Sequence, residues 1–584
     1  MTSTDHALTW RTLDDLSAWC RAGAREALGP QGAPLLVLAG RHAFLLDSLG
    51  TPSGPCPGCL YDGIIRSRSQ RRLAADALGR GEEDGWGPVV ALATQLALLP
   101  LAQDGSFRQV RVIDRDSLSV SLVPVLPSET CSLRHDQGGA PIEPLVRPPA
   151  RPADGLSLPY RRLSLDMVAH QVGDAANPFC SSLGLEAVTD LEIETTAKVS
   201  GAYVAVTPSG CWTGPWGGHT PRFSRSAAIG LLEALERRAG MTGPVTAPGV
   251  LRGTASELPV EAYLPSVFGI DAAFDTHPIA WSTARRLSDG AVVAVPRDVA
   301  FYGEEGRIVQ DSSNGCACGG TLAEAVLFGL LEAVERDAFL ISWYGALELD
   351  EIRSGSVNAL ASRQLLDRMR LLGQRVRFFD ATVGTRVPTV VAVAESSVTG
   401  SLCFGAGAHP DAERALAAAL NEVASDYLVA RTRLEIGREH IEQMLEDFDQ
   451  VRVMEDHADL FTHPGARPLA SFLLDAPRGE ERDIASLSVP GAGCDVMTDL
   501  RLSLELLRPD YEVLVVEQTL PAQKVLGVRS VKVIVPGLVP IDFGWRQQRA
   551  LSMPRTAERA GAYRRAHADR CTTKPAAPVP HPFP

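Results

Sequence analysis

Lysine is nearly missing from this sequence. Lys198, Lys524, Lys532 and Lys574 are the only four, and none follows a glycine. A phosphate-binding loop of the Gly-Lys type is therefore excluded, and a nucleotide would have to be held another way. Long apolar runs are missing too. The most apolar one, Val89 to Leu101, is too short to span a bilayer and reads as a core helix. The N-terminus, Met1-Thr-Ser-Thr-Asp-His6, has no basic stretch and no adjoining apolar one, so no secretory signal is read there. Positive charge is in deficit. With 56 Lys and Arg against 70 Asp and Glu, the net charge of −14 argues against non-specific nucleic-acid binding and against an anionic membrane surface. The 11 cysteines are odd in number and mostly scattered, which fits reduced thiols and a cytoplasmic location.

What remains is a globular composition, 45% hydrophobic and 22% charged over 584 residues, with room for two to four domains. Within it one pattern recurs. Gly230-Leu-Leu-Glu-Ala-Leu-Glu-Arg237 returns as Gly329-Leu-Leu-Glu-Ala-Val-Glu-Arg336. The spacing is too long for a solenoid, so the copies read as two related segments of one fold. On a helix, positions i, i+3 and i+4 share a face. Two such faces opposed would gather Glu233, Glu236, Glu332 and Glu335 with Arg237 and Arg336. Four carboxylates repel one another, and Mg²⁺ is the natural counter-charge, with nucleotide phosphates filling its other positions. A single E-x-x-E-R is more simply a solvated face of ion pairs; a duplicated octamer in apolar flanks is not.

Along the chain, residues 1–140 read as a small α/β unit. Leu13 to Leu28 is helical in period, Leu35 to Gly40 reads as a buried strand, and Arg108 to Asp114 alternates like another. Cys56-Pro-Gly-Cys59 is a tight knuckle with three open readings: half a zinc site, a redox pair or a disulfide. As a structural zinc site it would need Cys131 and His135 to complete it. The Pro/Arg-rich residues 141–155 read as a linker. Residues 156–584 carry the repeated motif. There Gly210 to Gly218 reads as a glycine-rich loop, Ala291 to Pro296 as a strand, and Gly405 to Pro410 as a loop entering a helix from Asp411 to Tyr427. The segment Val531 to Pro540 reads as a strand and turn. The sequence ends on Pro580-His-Pro582-Phe-Pro584, a stiff extended segment that suggests a position for its terminal carboxylate.

Ser313-Asn314-Gly-Cys-Ala-Cys-Gly-Gly-Thr321-Leu-Ala-Glu324, running into Glu332-Ala-Val-Glu335-Arg336, resembles the signature of the YcaO family, and Glu233 to Arg237 resembles its earlier motif. The P-x-P-x-P terminus resembles the azoline-forming branch, the ATP-dependent cyclodehydratases of ribosomally made peptides. The resemblance covers about 155–584; the N-terminal unit looks like a reduced E1-like partner domain. It implies a mixed α/β (α+β) fold with internally repeated segments. It also implies ATP and Mg²⁺ as cofactors, with Glu233, Glu236, Glu332 and Glu335 as Mg²⁺ ligands and Arg237 and Arg336 steadying carboxylates or phosphates. Asn314 and Glu324 would lie at the nucleotide pocket, and Lys198 and Ser200 in an early phosphate-contacting loop. Glu422 would belong to a third motif whose arginine is replaced by Ala418, with Arg414 as a substitute from the same face. Pro580, Pro582 and Pro584 would deliver the terminal carboxylate as a base. The implied reaction converts Cys, Ser or Thr to thiazoline or oxazoline through phosphorylation of the preceding amide oxygen, as in thiopeptide-type biosynthesis. The implied partners are a ribosomal precursor peptide, a separate leader-binding protein and a second copy of the chain in a homodimer. The rival readings are thioamide or amidine formation, or an inactive precursor-binding scaffold.

Overall fold

The computed structural model describes residues 8–21, 33–46, 56–70, 86–98, 108–129, 172–173, 175–181, 183, 187–191, 195–207, 210–246, 251–303, 307–310, 312–476, 481–568, 571 and 577–583. The first sheet holds β1 (Thr9–Thr12), β2 (Leu35–Ala39), β3 (His42–Leu46), β4 (Arg108–Asp114) and β5 (Val120–Val125), in that order. Only β1 and β2 pair in parallel. Helices α1 (Leu13–Arg21), α2 (Pro57–Gln70) and α3 (Gly87–Ala97) accompany it. Leu36, Leu45 and Ile113 pack with Val89 and Ala93 of α3, so the apolar run is a core helix as expected.

The Cys56–Cys59 knuckle is in fact the start of α2. Pro57 supplies a φ already suited to a helix and lacks an N–H that a first turn would leave unsatisfied. Cys59 is buried and its sulfur accepts the Ser128 N–H at 3.3 Å. Cys131 and His135 lie outside the described residues, as does the 141–155 linker, and the described residues hold no zinc centre.

The rest is built from three antiparallel sheets. Strands β6 (Val188–Thr189), β7 (Ala197–Thr207) and β8 (Gly210–Thr220) form a ribbon, against which α4 (Phe223–Thr246) packs. A six-stranded sheet contains β9 (Leu251–Gly253), β10 (Ile279–Arg286), β11 (Val292–Pro296), β12 (Cys316–Gly319), β17 (Leu514–Glu517) and β18 (Arg529–Ile534). The fourth sheet runs β13 (Asp350–Ile352), β14 (Gln374–Asp380), β15 (Thr389–Ser396) and β16 (Leu402–Ala408). The long helix α5 (Leu322–Tyr344) packs on β12, β18 and β16 and ties the last two sheets together. Also present are α6 (Leu360–Leu371), α7 (Ala412–Glu446), α8 (Met454–Leu460), α9 (Val496–Leu507) and α10 (Pro554–Ala566). Among the described residues no helix is long and apolar enough to cross a membrane.

Two glycine-rich stretches read as loops are strands. Gly210–Gly218 lies in β8, paired with β7 along its whole length, and Gly405–Gly407 lies in β16. The octamer glycines show why. A Cβ on Gly230 would stand 2.3 Å from Trp216 of β8, and one on Gly329 would stand 2.4 Å from the Gly315 carbonyl beside β12. Without a side chain, each helix rests directly on its strand.

A buried ion pair joins the first unit to α4. Arg238 donates to both oxygens of Glu129, at 2.9 and 2.7 Å, and the two side chains are 3% and 0% exposed. Glu129→Ala would leave the guanidinium in the interior without its carboxylate. A loss of about 3–5 kcal/mol is expected, measured by denaturant unfolding.

Candidate functional site

The two octamers do face each other, and a third helix joins them. Glu233 accepts the Gly217 N–H of β8 at 2.9 Å, and Arg237 donates to its other oxygen at 3.2 Å. Glu332 faces the Gly315 N–H and Glu335 the Ala408 N–H of β16, and each amide favours the ionised carboxylate. On α7, Glu422 accepts the Ala406 N–H at 2.9 Å. The same arrangement therefore recurs: a helix pressed on a glycine-bearing strand, with a glutamate facing a backbone amide at that strand. Hydrogen bonds to strand amides fix Glu233 and Glu422, so backbone geometry sets these two carboxylates of the cluster.

The electrostatics follow. The five glutamates are half-buried, and burial comes first among the causes that push Glu236, Glu332, Glu335 and Glu422 above the ordinary carboxylate range. Mutual repulsion adds to it: Glu332 and Glu233 act on Glu236, Glu422 and Glu332 on Glu335, and Glu332 on Glu422. Arg237, Arg336 and Lys532 oppose it. Five carboxylates against three cations leave an acidic excess with little water to screen it.

Among the described residues no three acidic, His or Cys side chains form a ready-made metal cage. Mg²⁺ takes one or two carboxylates and completes its octahedron with water and phosphate oxygens. Phosphate also has donors to meet. Nε of Arg237 and both Nε and Nη1 of Arg336 are buried with no hydrogen-bond partner. Arg336 stands 4.0 Å from Glu332 and 3.7 Å from Glu335, in electrostatic reach of both. The residues present thus fit a phosphate-bearing nucleotide with Mg²⁺. Since such binding requires ionised carboxylates, it must expel protons, and affinity should rise with pH until the glutamates are already ionised. Calorimetry of Mg²⁺ with a non-hydrolysable ATP analogue at pH 7, in buffers of different ionisation enthalpy, is expected to show release of about one proton or more.

The other expected residues fall in different places. Lys198 and Ser200 share one face of β7, opposite His219 and Gly217 of β8. Lys198 acts electrostatically on Asp426 of α7, and Thr195, just before β7, bonds the Ala424 carbonyl, so the start of this strand lies at α7 near Glu422. Asn314 lines a cavity with Arg336 and Lys532 and donates to the Ile541 carbonyl at 3.1 Å. Glu324 is enclosed at the start of α5, where it accepts the Gly320 N–H at 2.7 Å while Thr321 caps the helix. Ala418 is exposed, and Arg414 reaches Asp411 and the Gly493 carbonyl.

The tail is docked rather than free. Pro580, His581, Pro582 and Phe583 are buried, and the Phe583 ring lies 4.0 Å beneath the Arg336 guanidinium. Pro584 lies outside the described residues. Two participants escaped sequence reasoning. One is Phe583 as the seat of Arg336. The other is Lys532, buried on β18, whose ammonium donates to the Ser312 carbonyl at 2.7 Å within the Arg336 cavity. Its only sequence signal is rarity, as one of four lysines.

Comparison with known proteins agrees with this geometry. Residues 217–539 match the model of a family described as YcaO cyclodehydratase, ATP- and Mg²⁺-binding. An uncharacterised protein of Methanothermobacter thermautotrophicus is 31% identical over 269 residues, 44% of this chain. The match spans 65% of that relative's length, just under two thirds. A solved heterocyclase in complex with substrate and cofactor superposes with a TM-score of 0.68 at 20% identity, covering 94% of this chain and 79% of the other. The heterocyclase TruD gives 0.60 at 19%, covering 94% and 76%. At such identities these two likenesses bear on the fold alone.

Proposed function

The chain belongs to the YcaO cyclodehydratase family, and on that premise we propose that it closes azoline rings in a ribosomally made precursor peptide, using ATP and Mg²⁺. The substrate residue is Cys, Ser or Thr, whose side chain attacks the preceding amide carbonyl. The observation that carries the reading is the cluster of Glu233, Glu236, Glu332, Glu335 and Glu422 on three helices, with buried unpartnered donors of Arg237 and Arg336 among them.

When bound, Mg²⁺ and ATP supply the phosphoryl group that turns an amide oxygen into a leaving group. The glutamates would hold the metal. Arg237 and Arg336 would neutralise negative charge at fixed positions, at no reorganisation cost, because Glu233, Phe583 and the helix backbones already hold them. Lys532 and Asn314 would orient the peptide on the Arg336 side of the site. The tail through Phe583 shapes that side, and Pro584 follows it as the candidate base. Two partners belong to the proposal: a separate leader-binding protein, and a second copy of the chain in a homodimer. The N-terminal unit is read as a reduced E1-like domain.

The test is mass spectrometry of a precursor incubated with the chain, the leader-binding partner and Mg-ATP. Stepwise loss of one water per modified residue, dependent on ATP, supports azoline formation. A gain of sulfur in place of oxygen, or an unchanged peptide with ATP still bound, would replace it with thioamide chemistry or a scaffold role.

A further inference from the structure

The tail is held by a pair of histidines that none of the roles above uses. His457 of α8 and His581 of the tail stack face to face, with ring centroids 3.9 Å apart and planes 15° from parallel. Both are fully buried. The hydrogen bonds fix the proton on His457. Its Nε2 accepts the Gly544 N–H at 2.9 Å, so the hydrogen sits on Nδ1, which donates to the His581 carbonyl at 2.8 Å. His581 in turn donates from Nε2 to the Asp542 carbonyl at 2.9 Å. Two residues on either side, the tail is seated again: Trp343 donates to the Val579 carbonyl at 3.1 Å, and Phe583 packs on Phe339 at 4.9 Å and under Arg336.

A polyproline-like tail makes no hydrogen bonds of its own, so its position along and around its axis must come from outside. Trp343 and His457 supply the bonds to its carbonyls. Between Val579 and Phe583 the tail is held at His581: its own ring donates to the Asp542 carbonyl, and His457 donates to its main-chain carbonyl, which sets the rotation of the last turn. We propose that His457 is a positioning residue for the reaction: through the main chain of His581 it fixes Phe583, and through Phe583 it fixes the Arg336 guanidinium at the carboxylate cluster. The inference rests on the reading of Arg336 and the tail as parts of the active site.

Both imidazoles must be neutral for this clamp. A second proton on His457 would turn Nε2 toward the Gly544 N–H and place a cation against the neighbouring ring. The charged groups around the pair are few. Asp456 adjoins His457 and is shared with His440; Arg336 faces His581; the Asp542 carboxylate is taken up by Arg549; and the Tyr344 hydroxyl bonds Gln548. Burial brings His457 down to about 4 from an ordinary 6.5. A lowered histidine favours the docked state while neutral, so docking is complete above about pH 6.5 and weakens progressively as pH falls toward 4.

The experiment separates the two bonds of His457 by substitution. An asparagine amide sits where Nδ1 was and keeps the bond to the tail; a glutamine amide reaches where Nε2 was and keeps only the bond to Gly544. Hydrogen exchange of the full chain is followed in the C-terminal peptide, whose amides after Pro578 belong to Val579, His581 and Phe583. His457→Gln is expected to raise their exchange at least about tenfold, one pKa unit's worth of docking, while His457→Asn stays near wild type. Wild type brought below pH 6.5 should come to resemble the glutamine variant once intrinsic exchange is corrected. If the two variants exchange alike, or if the tail stays protected in His457→Gln, the clamp is refuted. The second readout is affinity for the Mg²⁺-bound ATP analogue and the rate of peptide modification, both expected to fall in His457→Gln and to be retained in His457→Asn. A loosened tail with both unchanged would instead overturn the reading of the tail as part of the site, and the positioning role with it.

Discussion

Glu332→Gln is expected to reduce ATP-dependent peptide modification by about 10²–10³-fold while leaving the protein as stable as wild type or more so. Glutamine has the same shape and still faces the Gly315 N–H with an oxygen, and the close contact of Gly329 with Gly315 is untouched, so the helix keeps its seat on the strand. What disappears is one negative charge from a cluster that burial and neighbouring glutamates already make unfavourable. Removing it relieves repulsion in the metal-free chain and takes away a ligand from the nucleotide-bound one. Loss of function without loss of stability is the mark of a site whose strain serves its ligand. Thermal unfolding alongside mass spectrometry of the product decides it. A variant that unfolds more easily and loses activity in proportion would make Glu332 a structural residue.

The second large effect concerns a residue with no functional group. Gly329→Ala places a methyl 2.4 Å from the Gly315 carbonyl and 2.9 Å from Val533. That carbonyl accepts the Val533 N–H of β18 at 2.8 Å and cannot turn aside without losing the bond, so α5 must lift from β12 and β18. The expected cost is about 1–3 kcal/mol from overpacking. The displacement also carries Glu332, Glu335 and Arg336 away from the strand amides and from Phe583, so nucleotide affinity should fall beyond what the lost stability explains. Denaturant titration and calorimetry with the Mg²⁺-bound analogue, run on the same variant, test this. Lost stability with affinity unchanged would mean that the carboxylates do not depend on the close approach of helix to strand.

The repeated octamer was readable without any structure because it satisfies two demands at once. A glycine for close approach and glutamates at i+3 and i+6 sit at fixed intervals on a helix, and periodicity along one helix is a local property. The absence of a Gly-Lys loop, the core helix near Val89 and the strands at Leu35, Arg108 and Val292 were local in the same sense. The glycine stretches at 210–218 and 405–407 misled because glycine marks two opposite things, a turn or a strand that something rests upon. Which one applies depends on α4 and α7, which lie elsewhere in the sequence. Glu324 shows what only the fold adds: the sequence places a glutamate beside the motif, and the structure encloses it at the start of α5, where it accepts the Gly320 N–H.

The sequence by itself determined the chemistry available, namely which carboxylates and guanidinia exist, in what local pattern, and which nucleotide-binding modes are closed to the chain. Only the tertiary structure decided which of them meet. Glu422 joins the octamers, Lys532 enters the Arg336 cavity, and a proline tail folds back so that Phe583 seats Arg336 and His581 stacks on His457. Those contacts span from 86 residues of chain, Glu422 to Arg336, to 247, Phe583 to Arg336, and no periodicity along the chain encodes them. They follow from the packing of whole helices on whole sheets, in which each apolar face must find a partner before any charged group acquires its neighbours.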